Sequence, residues 1–324
     1  MSARAAATIW RNGGARGLLR TASAAIRMEA PLLLRGRRTA ASVGAYYDLV
    51  TDISRSLYGD NFHFGYFPTG EETLTEAHDA HTDLVAQLAS LQVGSQVLDI
   101  GCGIGAPAMR IVRRYDCDVT GINISREQVR QGRELIAAQA MSDRVRIERG
   151  DARKLPFEDC SFDAIICVEV AGDICVSAAD KQTLIAEMFR VLRPGGGVGF
   201  SDLALRDLAS RAERKVLRGV FYDDGSNLVT DWPALFTQQG FAVDEHRCIL
   251  EQTMATWAHV STLYAGDASE LALRYGKAVA RRTGAQIDRL PEILRRLGTF
   301  PVLAARKPLA DAPLAGAVAL AREA

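Results

Sequence analysis

Cysteine pairs at metal-binding or redox spacing are missing from this chain. None of its six cysteines stands in a C-x-x-C arrangement, and several fall inside apolar runs such as residues 165–168. In a chain of 324 residues, such cysteines are typical of buried thiols and not of a disulfide framework or a structural zinc site. The sequence therefore predicts a protein that folds in a reducing compartment and binds no metal.

Long apolar runs and an excess of one charge are missing too. No uninterrupted apolar stretch approaches the roughly 18 residues that a membrane-spanning helix needs. Lysine plus arginine and aspartate plus glutamate both number 39, so no global field attracts nucleic acid or an anionic membrane. With 48% hydrophobic and 24% charged residues, the composition is that of an ordinary globular protein. We expect a soluble, cytoplasmic protein.

Although the total charge is balanced, the first 40 residues carry a strong excess of positive charge. Residues 1–40 hold eight arginines and a single acidic residue, Glu29, which leaves 31 basic against 38 acidic residues in the rest. Three interpretations fit this basic extension: an organelle-targeting peptide, a basic helix that packs on the core or contacts anionic lipid, or a segment upstream of a true start at Met28. Beyond residue 40 the chain has no basic stripe, which disfavours a nucleic-acid partner.

From about residue 80 onward, apolar strands alternate with amphipathic helices. This alternation is typical of a parallel sheet with helices on both faces. We predict an α/β, Rossmann-like fold with seven mostly parallel strands. The predicted strands are 96–100, 118–122, 145–148, 162–168, 198–201, 241–248 and 300–305. The predicted helices are 106–115, 126–141, 180–192 and 232–239.

Two helical stretches interrupt this alternation. Residues 206–229 and 254–296 are rich in arginine and aromatic residues, and we predict that they form a cap near the carboxyl edge of the sheet, where open α/β sheets bind ligands. We assign residues 41–308 to one domain that includes this cap, and residues 309–324 to an Ala-rich tail.

A glycine-rich turn follows the first predicted strand. The strand leads through Asp99 to Gly101, Gly103 and Gly105, and a helix follows. Glycine lets the backbone turn tightly and lets a ligand approach without a Cβ clash, and the free N–H groups of the helix start attract an anionic moiety. The segment also satisfies a dinucleotide-binding pattern. A nicotinamide site calls for an acidic residue about 20 positions later; Asn123 at the end of the second strand leans against NAD without excluding it.

Further motifs follow the glycine turn in a fixed order. They occupy residues 98–105, 121–128, 150–152, 155–157, 162–163 and 190–196. This ordered set resembles the small-molecule branch of the class I S-adenosylmethionine (SAM)-dependent methyltransferases, over roughly residues 40–308. Similar enzymes are the sterol C-methyltransferases, the tocopherol methyltransferases and the antibiotic O-methyltransferases that act on macrolide sugars and rebeccamycin. Residues 46–67 resemble the active-site lid of these enzymes, and we call them the lid segment.

The resemblance implies SAM as the cofactor, and it implies which residues contact SAM. These residues are Asp99, Gly101, Gly103, Gly105, Asn123, Ile124, Gln128, Asp151, Ala152 and Val168. The glycines correspond to the methionine end of SAM, Asn123 and Ile124 to its ribose and adenine. Asp151 and Ala152 correspond to the adenine edge, and Val168 lies near the sulfonium.

Three of these residues also have a purely structural interpretation. Asp99 fits an anchor of the glycine turn through backbone N–H groups. Ser125 and Gln128 fit a capping box at a helix start. Asp151, directly after a glycine, fits a turn residue.

The chain departs from its relatives directly after the predicted strand 162–168. Many antibiotic and tocopherol enzymes carry a histidine shortly after the acidic residue that ends this strand, whereas residues 169–177 contain none and form a longer loop. Glu169 is therefore our first candidate to line the pocket, where it would accept a proton or stabilise a substrate cation. Asp173 is a second candidate base or an ordinary loop residue. His63, which lies between aromatic residues of the lid segment, is either a third catalytic candidate or a packing residue.

SAM carries its methyl group on a sulfonium, and in-line transfer depends mainly on alignment in a water-poor pocket. We predict methylation of a hydrophobic small molecule, a polyketide, glycoside or isoprenoid. The aromatic residues that favour such an acceptor, and that equally fit a cap core, are Phe221, Tyr222, Trp232, Trp257 and Tyr264. A catalytically inactive SAM-binding partner protein and an NAD(P)-dependent oxidoreductase are the alternatives. The methylated atom and a homo-oligomeric state stay open.

Overall fold

The computed structural model describes residues 39–309, apart from residues 176, 208, 221–229 and 276. The predicted basic extension and Ala-rich tail therefore lie almost entirely outside the described residues, as do Phe221 and Tyr222 of the predicted cap. Among the described helices, none combines the length and the apolar character that crossing a bilayer requires.

Nine strands form one large sheet and one small ladder. They are β1 (Gln96–Ile100), β2 (Asp118–Asn123), β3 (Val145–Arg149), β4 (Phe162–Val168), β5 (Leu192–Ser201), β6 (Ala204–Leu205), β7 (Ala242–Cys248), β8 (Gly298–Thr299) and β9 (Pro301–Arg306). The large sheet has seven strands in the order β3-β2-β1-β4-β5-β9-β7. Strands β1 to β5 pair in parallel, and β9 is antiparallel to both β5 and β7. The prediction of an α/β fold with a mostly parallel seven-stranded sheet is confirmed.

Eleven helices of the described residues surround this sheet. They are α1 (Ala40–Tyr58), α2 (Leu74–Leu88), α3 (Ala106–Tyr115), α4 (Arg126–Ala138), α5 (Ala171–Ile174), α6 (Ala178–Val191), α7 (Arg211–Val220), α8 (Trp232–Gln238), α9 (Leu250–Thr253), α10 (Ala255–Tyr275) and α11 (Lys277–Leu297). Helices α7 and α10 pack on α11, and their buried side chains, with Trp257 and Leu290 among them, share one apolar cluster with Phe64 of the lid segment. The limits of the predicted cap and domain stay predictions.

The strand order reverses next to β1. Strands β2 and β3 lie on one side of β1, and β4 and β5 lie on the other side. Parallel strands place their carboxyl ends at the same edge, and such a reversal leaves a crevice there that binds ligands. The glycine turn after β1 and Glu169 after β4 meet at this crevice.

Two boundaries differ from the sequence prediction for identifiable reasons. Strand β5 begins at Leu192 and not at Val198, because the Pro-Gly-Gly-Gly run is accommodated as an irregularity in the pairing with β4 between Phe162 and Ala164. Helix α6 begins two residues early, because the Ser177 side chain accepts a hydrogen bond from the Asp180 N–H at 3.2 Å and caps it. The ladder β6–β8 was not predicted, since two-residue strands leave no periodic pattern.

Candidate active site

The turn after β1 depends on glycine at two positions in different ways. Gly101 and Gly105 have φ angles of +73° and +84°, in the left-handed region that favours glycine. A Cβ on Gly101 would lie 2.1 Å from a methyl carbon of Val170. A Cβ on Gly105 would lie 2.8 Å from Ile147, so this glycine serves the packing of α3 against the sheet.

A pocket opens beside this turn at the carboxyl ends of β1, β2 and β4. Its wall consists of Tyr47, Phe62, Gly101, Gly103, Ile122, Asn123, Ile124, Gln128, Gly150, Ala152, Val168, Glu169, Val170, Asp173 and Ile174. Most of the residues that we expected at the cofactor are in this wall, together with the catalytic candidates Glu169 and Asp173. Asp99, Gly105, Asp151 and His63 are not part of the wall.

Asn123 and Gln128 are two polar residues of the wall, and their side chains are hydrogen-bonded to each other. The Asn123 amide donates to the Gly103 carbonyl at 3.0 Å and to the Gln128 side-chain oxygen at 2.7 Å, while its own oxygen accepts from the Ser125 N–H at 3.1 Å. The Ser125 hydroxyl caps α4 by accepting from the Gln128 N–H at 3.1 Å. The Ser125 half of the predicted capping box is therefore present, and the Gln128 side chain bonds Asn123.

Asp151 is not among the residues of the pocket wall, and an arginine binds its side chain. Its carboxylate accepts from the Arg153 side chain at 3.0 and 2.8 Å, and Arg153 also contacts Asp180 at 2.9 Å. The neighbours Gly150 and Ala152 reach the wall instead. The structure thus favours the structural interpretation of Asp151 as an anchor of the turn after β3.

Asp99 is buried beneath the glycine turn. Among the described residues, its Oδ2 atom has no hydrogen-bond partner. Burial raises the pKa of Asp99 from 3.8 to about 8, because a charged carboxylate is poorly solvated there. An unsatisfied polar atom under a turn of open glycines suits a site that receives a polar ligand group.

We expect Asp99→Asn to gain stability relative to the wild type as the pH rises. An acid whose pKa is raised in the folded state binds its proton more tightly there, so folding becomes less favourable between the unfolded and the folded pKa. In that window, pH 4 to 8, the difference in unfolding free energy should grow by about 1.4 kcal/mol per pH unit. Urea unfolding without SAM at pH 5, 6 and 7 measures it; a difference that does not change with pH contradicts the protonated Asp99.

Glu169 is an acidic residue of the pocket wall. It follows β4 with a φ angle of +54°, a conformation that costs a non-glycine residue about 1 to 3 kcal/mol. Its Oε1 atom accepts from the Phe64 N–H at 2.6 Å. Burial raises the pKa of Glu169 well above its usual value. The hydrogen bond from the Phe64 N–H lowers this pKa, whereas the nearby carboxylates of Asp202 and Asp173 raise it further. Once ionised, such a carboxylate accepts a proton strongly and attracts a cation.

The other two catalytic candidates differ in position. Asp173 lies in the pocket wall, where its carboxylate accepts a hydrogen bond from the Tyr47 hydroxyl of α1. His63 is buried and its Nδ1 contacts the Phe64 carbonyl at 2.8 Å. Burial lowers the pKa of His63 to about 4. Since His63 does not reach the pocket wall, the geometry favours its packing role.

Several site residues escaped the sequence analysis. Val170 and Ile174 also belong to the pocket wall, and their only signal was adjacency to predicted residues; Gly150 lies in a predicted motif but was not predicted to contact the cofactor. His81 and Ser201, two buried residues hydrogen-bonded near Glu169, belong to no motif that the sequence analysis used. The spacing of His78 and His81, one turn apart on α2, was an available signal that the prediction did not use.

Comparisons with known proteins bear on this site. A family model described as a methyltransferase domain matches residues 97–196. The chain is 32% identical over 219 residues to methyltransferase GfsG of Streptomyces halstedii, covering 66% of this chain and 77% of that protein. It is 32% identical over 234 residues to the 27-O-demethylrifamycin SV methyltransferase of Amycolatopsis mediterranei (strain S699), covering 70% and 84%.

A solved structure of similar shape is the [4+2]-cyclase SpnF. It has a TM-score of 0.71 and 28% identity, and the match covers 84% of this chain and 97% of that one. Both methyltransferases align with this chain over most of their own lengths. The region that matches the family model contains the glycine turn and the end of β4. The chain belongs to the SAM-dependent methyltransferases.

Proposed function

We propose that this methyltransferase acts on a hydrophobic polyketide, glycoside or isoprenoid, and that Glu169 serves the acceptor. The observation that carries the proposal is the buried Glu169 carboxylate in the same wall as Gly101 and Gly103. The similarity to the 27-O-demethylrifamycin SV methyltransferase supports an acceptor of the polyketide class. We also propose that residues 41–308 form the catalytic domain.

The residues of the wall fit SAM. The open backbone at Gly101 and Gly103 suits the methionine part, and the orphaned Oδ2 of Asp99 lies beneath that turn. Asn123, Ile124 and Ala152 offer a polar and an apolar surface for the adenosine. When bound, SAM supplies an electrophilic methyl group on a sulfonium.

The chain's own side chains perform the remaining tasks. Phe62, Val170 and Ile174 exclude water from the pocket. Glu169 accepts the proton of an acceptor hydroxyl, or stabilises the cation that an alkene acceptor would form. Tyr47 holds Asp173 near Glu169 in the same wall, where its carboxylate would attract the cationic sulfonium.

Glu169→Gln tests this role because it keeps the side-chain shape and removes the charge. With 27-O-demethylrifamycin SV and a sterol with a Δ24 double bond as acceptors, we expect kcat at saturating SAM to fall by about 100-fold. The Kd of SAM should change by less than about threefold, since Glu169 lies on the acceptor side. Glu134→Gln, the same change on the exposed face of α4, is the matched control. Unchanged turnover in Glu169→Gln would discard the role.

A further inference from the structure

The loop that carries Phe64 is fastened to the rest of the molecule by consecutive backbone N–H groups. We call residues 61–67 the lid loop. Its four bonds are Phe64 to Glu169 Oε1 at 2.6 Å, Gly65 to Thr256 Oγ1 at 2.9 Å, Tyr66 to the Ala77 carbonyl at 2.9 Å and Phe67 to the Gln252 carbonyl at 2.8 Å. The lid loop thus contacts the end of β4, helix α2 and helices α9 and α10.

One of these bonds belongs to a closed ring of four residues. The Glu169 N–H donates to the Ser201 carbonyl at 2.8 Å. The Ser201 hydroxyl and His81 Nε2 lie 3.0 Å apart, and His81 Nδ1 lies 2.7 Å from the Phe64 carbonyl. The Phe64 N–H then returns to Glu169 Oε1. His81 and Ser201 are fully buried, so water does not compete for these bonds.

The protonation state of His81 follows from its partners. Burial lowers the pKa of His81 to about 3, so the ring is neutral and carries one N–H. A carbonyl oxygen only accepts, so the N–H must be on Nδ1, and Nε2 accepts from the Ser201 hydroxyl. Every bond of the ring then has a donor and an acceptor.

The same atoms could suggest a metal site, but the Phe64 peptide accounts for their convergence. Ligand atoms of His63, His81 and Glu169 lie within 4.8 Å of one another. Both Nδ1 atoms contact the Phe64 carbonyl, and the Glu169 carboxylate accepts from the Phe64 N–H. These three side chains therefore hold one peptide unit of the lid loop.

We propose that His81 is a positioning residue for methyl transfer. By holding the Phe64 carbonyl, it keeps the Phe64 N–H on one oxygen of Glu169 and leaves the second oxygen for the acceptor. The proposal rests on the proposed role of Glu169 at the acceptor. It adds that a residue outside the pocket wall, on α2, sets the orientation of that carboxylate.

Hydrogen exchange tests the first half of this proposal without any acceptor. In protein saturated with S-adenosylhomocysteine, we expect His81→Phe to speed amide exchange in the 61–67 peptide by about tenfold, because the Phe64 peptide loses one bond of its ring. His81→Asn, which retains a donor near the position of Nδ1, should restore much of the protection. Thr82→Val is the matched control, because Thr82 is buried next to His81 on the same helix and is not part of the ring.

A double-mutant cycle tests the second half. With 27-O-demethylrifamycin SV and the Δ24 sterol as acceptors, His81→Phe should lower kcat by about 10- to 100-fold, the effect of a displaced catalytic group. Because His81 acts through Glu169, the same change in the Glu169→Gln background should cost less than about threefold. The control Thr82→Val should leave kcat within about threefold of the wild type.

The outcomes separate this proposal from the one it rests on. Unchanged exchange of the 61–67 peptide in His81→Phe overturns the positioning role, whatever the acceptor. Equal kcat losses from His81→Phe in both backgrounds also overturn it, since the effect would not pass through Glu169. An unaffected Glu169→Gln, by contrast, removes the role of Glu169 itself.

Discussion

Gly101→Val should raise the Kd of SAM by about 100-fold or more. A valine at a φ of +73° is strained, at about 1 to 3 kcal/mol. Its Cβ would lie 2.1 Å from a Val170 methyl carbon and 2.7 Å from the other, and the wall between these two residues would have to move into the pocket. The strain lowers stability with and without SAM, whereas pushing the displaced wall back to admit SAM costs about 3 kcal/mol, the upper part of the range for overpacking, which corresponds to about 100-fold in Kd. Isothermal titration with SAM measures the change.

Gly94→Val separates the blocked pocket from the strained backbone. Gly94 has a similar φ of +79°, but no atom lies within 4 Å of its Cβ position, and it is not part of the pocket wall. This variant should lose stability and bind SAM within about threefold of the wild type. Equal Kd values for SAM in the two variants and the wild type would place the cofactor elsewhere.

Gly199→Val should destabilise the whole fold. Helix α2 sits on β5 so closely that a Cβ on Gly199 would lie 1.9 Å from the Val85 carbonyl oxygen. That atom is backbone and cannot rotate away, so the helix must shift from the sheet. We expect a loss of about 3 kcal/mol, the upper part of the range for overpacking, and a fall in Tm of roughly 6 to 12 °C. Differential scanning calorimetry measures it.

Gly266→Ala gives the opposite sign and serves as the control. Gly266 lies in α10, and apart from its own helix backbone and chain neighbours no atom of the described residues lies within 4 Å of its Cβ position. An alanine there costs no contact and favours the helix by up to about 1 kcal/mol. If Gly199→Val and Gly266→Ala have the same Tm, the result contradicts the close contact between α2 and β5.

The sheet and most residues of the pocket wall could be predicted because each depends on local sequence. Strand β1 and the turn at Gly101 and Gly103 show apolar and glycine patterns that the backbone geometry requires. Because the chain belongs to the SAM-dependent methyltransferases, the alternative of an NAD(P)-dependent oxidoreductase, which Asn123 alone did not exclude, is rejected. Asp151 stays a predicted cofactor residue, and the bond of its carboxylate to the nearby Arg153 was not predictable from the motif.

The contacts around Glu169 could not be predicted because they join distant parts of the chain. Glu169 meets Phe64 across 105 positions, and His81 meets Ser201 across 120 positions. No periodic pattern or short motif reports such a contact. His63 was the conspicuous histidine in sequence, because aromatic residues flank it, whereas His81 has the partners that link it to the pocket.

The transfer of a labelled methyl group tests the central claim most directly. The protein is incubated with methyl-labelled SAM and, separately, with 27-O-demethylrifamycin SV, a Δ24 sterol and fractionated lipid and polar extracts. The account predicts that one hydrophobic acceptor takes up the label, that S-adenosylhomocysteine forms in equal amount, and that Gly101→Val abolishes both. Binding of SAM with no label on any acceptor, and no S-adenosylhomocysteine, would contradict it.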